Sequence, residues 1–277
     1  MTKKKEKPIN SFTCPTRISL EKLHEMFEKL NNEQREFAMH ELHFFKLDRL
    51  PLKTYLSGSA GVGKSYLINL LYQLITNHFD NEPGGDLDKM TVLLTAPSGK
   101  VSFSLPLNQY GGQMPKLSSD VANQIRSKLM SVKLIIMDEV SMIGSRTFNL
   151  IDVRLRQITG INKPFGNISI IVVGDFMQLP PVRDRYVFQL PNNHEYKDLF
   201  DRNPLWDEFS IYELTQIMRQ KGEAEFINAL NNLAVGKMTE EDIKLVKSCE
   251  VKNLDDIPKT AIRLYATNAK VNHYSST

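Results

Sequence analysis

The sequence predicts an α/β fold, a doubly wound, mostly parallel β-sheet with helices on both of its faces. Apolar runs of strand length recur along the chain, at 53–58, 91–96, 133–139 and 167–175. Segments with apolar residues at helical spacing lie between these runs, and buried strands that alternate with helices form parallel sheets. The 277 residues are 41% hydrophobic and 24% charged, which argues against wholesale disorder and allows a sizeable core.

Charge and cysteine usage narrow the class of protein. The formal net charge of +3 is too small to indicate nucleic-acid binding by itself. No apolar run approaches the roughly 20 residues that span a bilayer, so no membrane association is expected. Cys14 and Cys249 fit neither a disulfide framework nor a zinc site, which predicts a reducing intracellular compartment. Residues 1–16 are expected to form a flexible basic tail. Its run Lys3–Lys4–Lys5, with Lys7, is either simply solvated or a nuclear-import or phosphate-contacting patch.

The individual elements follow from apolar spacing and from capping residues. The first half of the chain predicts helices at 19–30 and 33–46, a strand at 53–58, a helix at 66–75 and a strand at 91–96. The second half predicts a helix that starts at Ser118 or Ser119, a strand at 133–139, a helix around 148–158, strands at 167–175 and 210–215, a helix at 223–236, a further helix capped by Thr239 and a strand at 261–267.

The most informative segment is GSAGVGKS at 58–65, which matches G-x-x-x-x-G-K-[ST] between a predicted strand and a predicted helix. Glycines let backbone N–H groups close around phosphate oxygens, and the helix directs its positive N-terminal end at them. In this pattern Lys64 reaches the β- and γ-phosphates and the Ser65 hydroxyl ligates Mg²⁺. The predicted nucleotide site comprises Gly58, Ser59, Ala60, Gly61, Val62, Gly63, Lys64 and Ser65.

Acidic residues follow two of the predicted strands. Asp138 and Glu139 close the run LIIM and should lie at the carboxyl edge of the sheet, where ligands bind in doubly wound folds. Asp138 would hold Mg²⁺, largely through water, and Glu139 would orient and deprotonate the attacking water. The alternative is that these acids merely begin a solvated loop.

The second strand-end acid lies in GDFMQLPPV at 174–182. Gln178 could hydrogen-bond a γ-phosphate or the attacking water, or the stretch could be only a stiff turn, since its two prolines impose a non-helical exit. Three methionines that flank these strands are expected to pack there: Met137, Met142 and Met177. Trp206, with Phe200 and Phe209, is interpreted as a structural anchor, with base stacking as the alternative.

Seven segments occur in the order seen in a known family: LNNEQREF, GSAGVGKS, TAPSGK, IIMDEVSMIG, VVGDFMQLPPV, LTQIMRQ and LYATNAKV. Together they resemble PIF-type helicases, superfamily-1 enzymes that move 5′ to 3′ on single-stranded DNA and whose eukaryotic branch includes those of Helitron transposons. The resemblance covers residues 30–273. It implies a RecA-like P-loop NTPase fold, ATP-dependent DNA helicase activity, ATP and Mg²⁺ as cofactors and single-stranded DNA as partner.

The resemblance also implies roles for single residues. Gln34 matches the glutamine that reads adenine, and Gln178 matches the motif III sensor. Arg219 resembles the motif IV arginine that approaches the γ-phosphate, where it would stabilise charge in the transition state. TAPSGK resembles motif Ia, whose candidates for contact with a DNA phosphate are Thr95, Ser98 and Lys100.

Two departures from the family pattern shape the expected organisation. A short segment that usually follows motif Ia is missing after TAPSGK. The match also ends soon after YATN, which predicts a RecA-like ATPase domain at 17–215 and only part of a second RecA-like domain at 216–277. We therefore expect a C-terminally truncated helicase that binds ATP and Mg²⁺, hydrolyses ATP slowly and does not unwind DNA alone, because translocation needs two closing domains.

Other function classes remain as alternatives. One is a nucleotide-dependent DNA-binding module or an inactive helicase remnant. A P-loop kinase is disfavoured, because it would want an arginine-rich lid and an acceptor pocket and would not need GDFMQLPPV. The family implies DNA repair, recombination, telomere maintenance or transposition. The basic tail and the family favour a nuclear location, with the mitochondrion as the alternative.

Overall fold

The computed structural model describes residues 15–47, 51–86, 88–96, 105, 107, 116–191, 202–218, 221–251, 257–258 and 261–275. The chain divides into two compact units, Met1–Ile227 and Asn228–Thr277. The domain boundary predicted between residues 215 and 216 stays a prediction. Among the helices that the structure describes, none combines the length and the apolar character needed to cross a bilayer.

A five-stranded, wholly parallel sheet organises the first unit, in the strand order β2-β3-β4-β1-β5. The strands are β1 Lys53–Gly58, β2 Val92–Thr95, β3 Leu134–Met137, β4 Ser169–Gly174 and β5 Ser210–Leu214. In the register of the sheet, Leu56 lies opposite Val173 and Gly58 lies opposite Leu214. The predicted α/β class with a parallel sheet is confirmed.

Eight helices are described, and several of them begin at a residue whose side chain caps the helix. They are α1 Leu20–Glu28, α2 Asn32–Lys46, α3 Lys64–Asp80, α4 Ser119–Leu129, α5 Ser145–Thr159, α6 Lys221–Ala234, α7 Glu240–Ser248 and α8 Asn268–Ser275. Asn31 and Gln34 form a reciprocal capping box at the start of α2, and Ser118 caps α4 through the Val121 N–H. These caps satisfy backbone donors that a helix cannot pair internally.

Alternate residues of β1 to β4 are buried in two separate cores, one on each face of the sheet. The face covered by α1, α2 and α3 takes Leu56, Leu134, Ile136, Ile171 and Val173. The face covered by α4 and α5 takes Tyr55, Ile135, Met137, Ile170 and Val172. Because both faces are covered, β3 and β4 are buried along their whole length and are apolar except for Ser169 at the start of β4, as the near-continuous runs in the sequence predicted.

The second unit contains α7 and α8, and the cap of α7 is the one that the sequence predicted. Thr239 caps α7 in a capping box with Asp242, as predicted. The strand predicted at 261–267 is wrong: these residues have no regular structure, and Ile262 and Leu264 are each 90% exposed. A strand exists only when a neighbour accepts and donates its hydrogen bonds. None of the described residues in 228–277 forms a strand that could pair with this segment.

Candidate nucleotide-binding site

The candidate site lies at the carboxyl edge of the sheet, where the chain leaves β1, β3 and β4. The loop 58–65 follows β1, Asp138 and Glu139 follow β3, and Asp175 follows β4. Because β4 lies between β3 and β1, Asp175 is between the two other groups in the strand order. Ligands of doubly wound sheets bind at this edge.

The backbone of the loop 58–65 depends on glycine. Gly61 and Gly63 have φ of 86° and 81°, in the left-handed region that other residues rarely adopt. Gly63 is the residue before α3 and carries no side chain to cap the first N–H groups of that helix. A Cβ at Gly63 would also lie 2.6 Å from Nε2 of Gln34. The N-terminus of α3 is therefore left open toward the loop, as an anion-binding helix end requires.

Lys64 holds its ammonium group at the loop and faces three carboxylates. Its Nζ donates hydrogen bonds to the carbonyl oxygens of Gly58 at 2.5 Å and of Ser59 at 2.9 Å, which uses two of the three ammonium donors. Burial lowers the pKa of Lys64, and the charges of Asp175, Glu139 and Asp138 oppose that lowering. The structure thus brings these predicted site residues, and Asp175 with them, into one electrostatic cluster.

Asp138 and Glu139 are held by the backbone at the end of β3. The Asp138 N–H donates to the Thr95 carbonyl at 2.8 Å, and its carboxylate accepts from the Glu139 N–H at 2.9 Å. Burial raises the pKa of Asp138, while the Glu139 N–H and Lys64 oppose that rise. A half-buried carboxylate of this kind gains from a further cation beside it.

Glu139 has a strained backbone, with φ of 56° and ψ of 44° in the left-handed region. Gly174 permits this conformation, because a Cβ there would lie 3.0 Å from the backbone nitrogen of Val140. Strain of this kind concentrates at functional sites. Together, the strand end, Gly174 and the turn fix the backbone position of Glu139.

The oxygen donors at this edge fit Mg²⁺. Mg²⁺ prefers oxygen ligands and keeps several waters, so it needs only one or two protein groups besides phosphate. Ser65 offers a hydroxyl on the first, exposed turn of α3, and Asp138 offers a carboxylate. The raised pKa of Asp138 is consistent with a position that a cation would neutralise.

Asp175 organises the turn that presents Gln178. Its carboxylate accepts from the Met177 N–H at 2.9 Å and from Nε2 of Gln178 at 3.3 Å, and its carbonyl accepts from the Gln178 N–H at 3.0 Å. Gln178 is exposed at the same edge as the loop 58–65. The sequence marked Asp175 as a strand-end acid, but it gave no sign of the residue's contact with Gln178.

The position of Met177 in this turn differs from the packing that the sequence predicted. Met177 is 64% exposed, so the prediction that it packs against the nucleotide strands is wrong. The hydrogen bond from its N–H to Asp175 holds Met177 in the turn outside the sheet, so it is not part of a strand. Met137, inside β3, is fully buried as expected.

Gln34 lies beside the loop with its amide already partly engaged. It is 1% exposed, its Nε2 donates to the Val62 carbonyl at 2.8 Å, and its Oε1 accepts from the Asn31 N–H at 3.2 Å. One N–H and one lone pair of the amide remain for other partners. These are the groups that would pair with the N7 acceptor and N6 donor of adenine.

Several predicted residues are not part of the described cluster. Thr95 is 2% exposed, which argues against a DNA contact through its side chain, because the end of a covered strand buries it. Ser98, Lys100 and Arg219 lie outside the described residues. Trp206 and Phe209 are 7% and 8% exposed and stack on each other at 5.4 Å, which supports the anchor interpretation. Phe200 lies outside the described residues.

The chain is similar in sequence and in fold to known helicases. ATP-dependent DNA helicase PIF1 of Emericella nidulans is 28% identical over 237 residues, which are 80% of this chain and 30% of that protein. The crystal structure of Pif1 helicase from Candida albicans has a TM-score of 0.62 at 25% identity, covering 89% of this chain and 53% of that one. Bacteroides Pif1 bound to ssDNA shares the fold, with a TM-score of 0.60 at 22% identity over 89% of this chain and 55% of that one.

The chain spans about a third of the length of the curated relatives, at 30% and 31% of the first two. A family model described as PIF1-like helicase matches residues 29–244, which include the loop 58–65 and the strand-end acids. The chain therefore belongs to the PIF1-like helicase family.

Proposed function

We propose that this chain provides the ATP-binding and ATP-hydrolysing part of a PIF-type DNA helicase, in which hydrolysis is coupled to 5′-to-3′ movement on single-stranded DNA. The observation that carries this proposal is the cluster of Asp138, Glu139 and Asp175 around the Lys64 ammonium group at a glycine-shaped phosphate loop. Membership of the PIF1-like helicase family supports DNA as the partner of the hydrolysis cycle.

Phosphate binding is assigned to the loop and to Lys64. The open N-terminus of α3 and the left-handed glycines direct backbone N–H groups at one volume. Lys64 adds a positive charge beside this loop; burial lowers its pKa, and the charges of Asp175, Glu139 and Asp138 oppose that lowering. The loop thus supplies electrostatic stabilisation that is present before any charge develops on the γ-phosphate.

Hydrolysis joins a water oxygen to the γ-phosphorus and breaks the bond to the β–γ bridging oxygen. Glu139 is assigned to orient that water and to accept its proton, because it directly follows the end of β3 with Asp138 and its charge acts on Lys64. Ser65 and Asp138 are assigned as the groups that hold Mg²⁺. When bound, Mg²⁺ neutralises charge on the phosphate oxygens.

Three further residues complete the proposal. Gln34 reads adenine with the free N–H and lone pair of its amide. Gln178 is exposed at the edge and senses the γ-phosphate or the attacking water, held by Asp175. Arg219 supplies the positive charge that the family pattern implies for the transition state.

Single-stranded DNA is the proposed polymer substrate, and a Pif1 of this fold has been solved with ssDNA bound. Contacts to its phosphates would give affinity without sequence preference. Ser98 and Lys100 are the proposed motif Ia contacts. DNA repair, recombination, telomere maintenance or transposition in the nucleus, or in the mitochondrion, is the proposed setting.

The test is steady-state ATP hydrolysis by the purified chain with Mg²⁺, with and without single-stranded DNA. We expect hydrolysis that rises with DNA and that falls by about a hundredfold or more in Lys64→Ala, since one lost charge-stabilising group costs on that order. Lys89→Ala is the matched control, because that side chain is 60% exposed and forms a surface ion pair with Asp86. A folded chain that binds ATP without hydrolysing it would favour the nucleotide-dependent binding module instead.

A further inference from the structure

Glu33 makes a long-range contact that its position in a helix does not require. It lies in the first turn of α2, where an acidic side chain is already favourable beside unpaired N–H groups. Its carboxylate nevertheless accepts three hydrogen bonds from residues about 180 positions away in the sequence: from the Thr215 N–H at 2.8 Å, the Thr215 hydroxyl at 2.5 Å and the Gln216 N–H at 3.1 Å. Hydrogen bonds to a carboxylate are about twice as strong as neutral ones.

The residues that Glu33 holds begin a short irregular segment, residues 215–218, which follows directly from β5. Its other end contacts the phosphate loop, because the Met218 N–H donates to the Gly61 carbonyl at 3.0 Å. The Met218 sulfur also accepts a hydrogen bond from Nδ2 of Asn31 at 3.0 Å. The 215–218 segment is therefore fixed at both ends against elements of the nucleotide site.

The 215–218 segment also reaches the point where Gln34 meets the loop. A Cβ at Gly63 would lie 2.6 Å from Nε2 of Gln34 and 3.4 Å from Cγ of Met218, so both side chains crowd the same glycine. The Thr215 hydroxyl, then the Thr215 and Gln216 N–H groups, lower the pKa of Glu33, which keeps the carboxylate charged for this contact. Glu33 thus joins the first turn of α2, which carries Gln34, to the 215–218 segment beside the phosphate loop.

We propose that Glu33 is a positioning residue for nucleotide binding: its carboxylate holds the 215–218 segment against the phosphate loop and the turn that carries Gln34. Loss of the carboxylate frees Thr215 and Gln216, and the segment then depends on the contacts of Met218 with Gly61 and Asn31. The loop keeps its sequence and its fold but samples more conformations before nucleotide binds. This inference rests on the proposed function, since it concerns the closure of the same site.

The test is a double-mutant cycle on ATP affinity in the full chain, with hydrolysis kinetics measured in parallel. Glu33→Gln should raise the Kd and the KM for ATP about tenfold, which is about 1.4 kcal/mol and the scale of one hydrogen bond to a charged group, with kcat little changed. Thr215→Val removes only the hydroxyl donor and should weaken binding about threefold. The double variant should bind ATP no more weakly than Glu33→Gln alone, because both changes break one contact.

Glu36→Gln is the matched control, because Glu36 is an exposed acid on the same helix. ATP affinity of Glu33→Gln equal to that of Glu36→Gln, or fully additive effects in the cycle, would overturn the inference while the proposed function stands. If Glu33→Gln lowers the unfolding temperature, the ATP affinity of Thr215→Val tests the inference instead, because Thr215 is the partner of Glu33 in the same contact. A wild-type chain that binds no ATP, and so resembles Lys64→Ala, would refute the proposed function itself.

Discussion

Glu41 is a buried carboxyl group whose replacement should change how stability depends on pH. It lies in α2 and is 0% exposed; one oxygen accepts from the Thr54 hydroxyl at 3.1 Å and lies 3.4 Å from Nδ1 of His40. The other oxygen, Oε2, is buried without a hydrogen-bond partner among the described residues. Burial raises the pKa of Glu41 to about 8, although the Thr54 hydroxyl opposes the rise, so the group is neutral at pH 7.

The sign and size of the effect follow from linkage. Between pH 4.5 and about pH 8 the folded chain binds a proton at Glu41 that the unfolded chain has lost, so this group makes stability fall as pH rises. The contribution of Glu41 to the free energy of unfolding is fully present below its pKa in the unfolded chain. It is lost as the pH rises through its pKa in the folded chain. At about 1.4 kcal/mol per pH unit, the interval between these two pKa values corresponds to a loss of roughly 5 kcal/mol in the free energy of unfolding.

Glu41→Gln removes the titration while its amide oxygen still accepts from Thr54. We expect wild type and variant to differ little near pH 5 and the variant to be more stable by several kcal/mol at pH 9. The assay is urea unfolding at both pH values, with the exposed-site variant Glu36→Gln as control. An equal difference between Glu41→Gln and wild type at pH 5 and pH 9 would refute the reasoning, because it would mean that Glu41 is charged at both.

Three further predictions concern the site and its support. Gly63→Ala should cost about 1–2 kcal/mol of stability for the left-handed backbone and should weaken ATP binding, measured by unfolding and titration; an unchanged affinity would contradict the assigned loop geometry. Asp175→Asn should lower kcat about tenfold with KM for ATP nearly constant, because it misplaces Gln178; a change in KM alone would count against this role. Asp152→Ala should lower the free energy of unfolding by about 1–3 kcal/mol, because the buried Phe165 N–H, which donates to the Asp152 carboxylate at 2.6 Å, loses its acceptor. A free energy of urea unfolding equal to that of wild type would contradict this prediction.

The sequence predicted those features that local rules determine. Fully buried strands such as β3 and β4 are apolar along nearly their whole length, so their runs were visible without knowing their neighbours. The loop 58–65 was visible because its backbone requires glycine at fixed spacing. The cap Thr239 was also visible, because it satisfies backbone N–H groups of its own helix and needs no distant partner.

The features that the sequence missed depend on distant partners. The contact between Glu33 and Thr215 joins residues far apart in the chain, and no spacing rule connects them. The segment 261–267 has the composition of a strand, but composition cannot say whether a neighbouring strand is present to pair with it. Asp175 showed itself as a strand-end acid, yet its role became visible only when β4 was placed between β1 and β3.

The central claim is that Glu139 activates water for ATP bound at the loop 58–65, and the variant Glu139→Gln tests it most directly. ATP binding and single-turnover hydrolysis would be measured in parallel on wild type and variant. We expect Glu139→Gln to bind ATP with an affinity within a few-fold of wild type and to hydrolyse it about a hundredfold or more slowly, which is the usual contribution of a general base. Hydrolysis at the wild-type rate by Glu139→Gln would contradict the account, because the water would then be activated by another group.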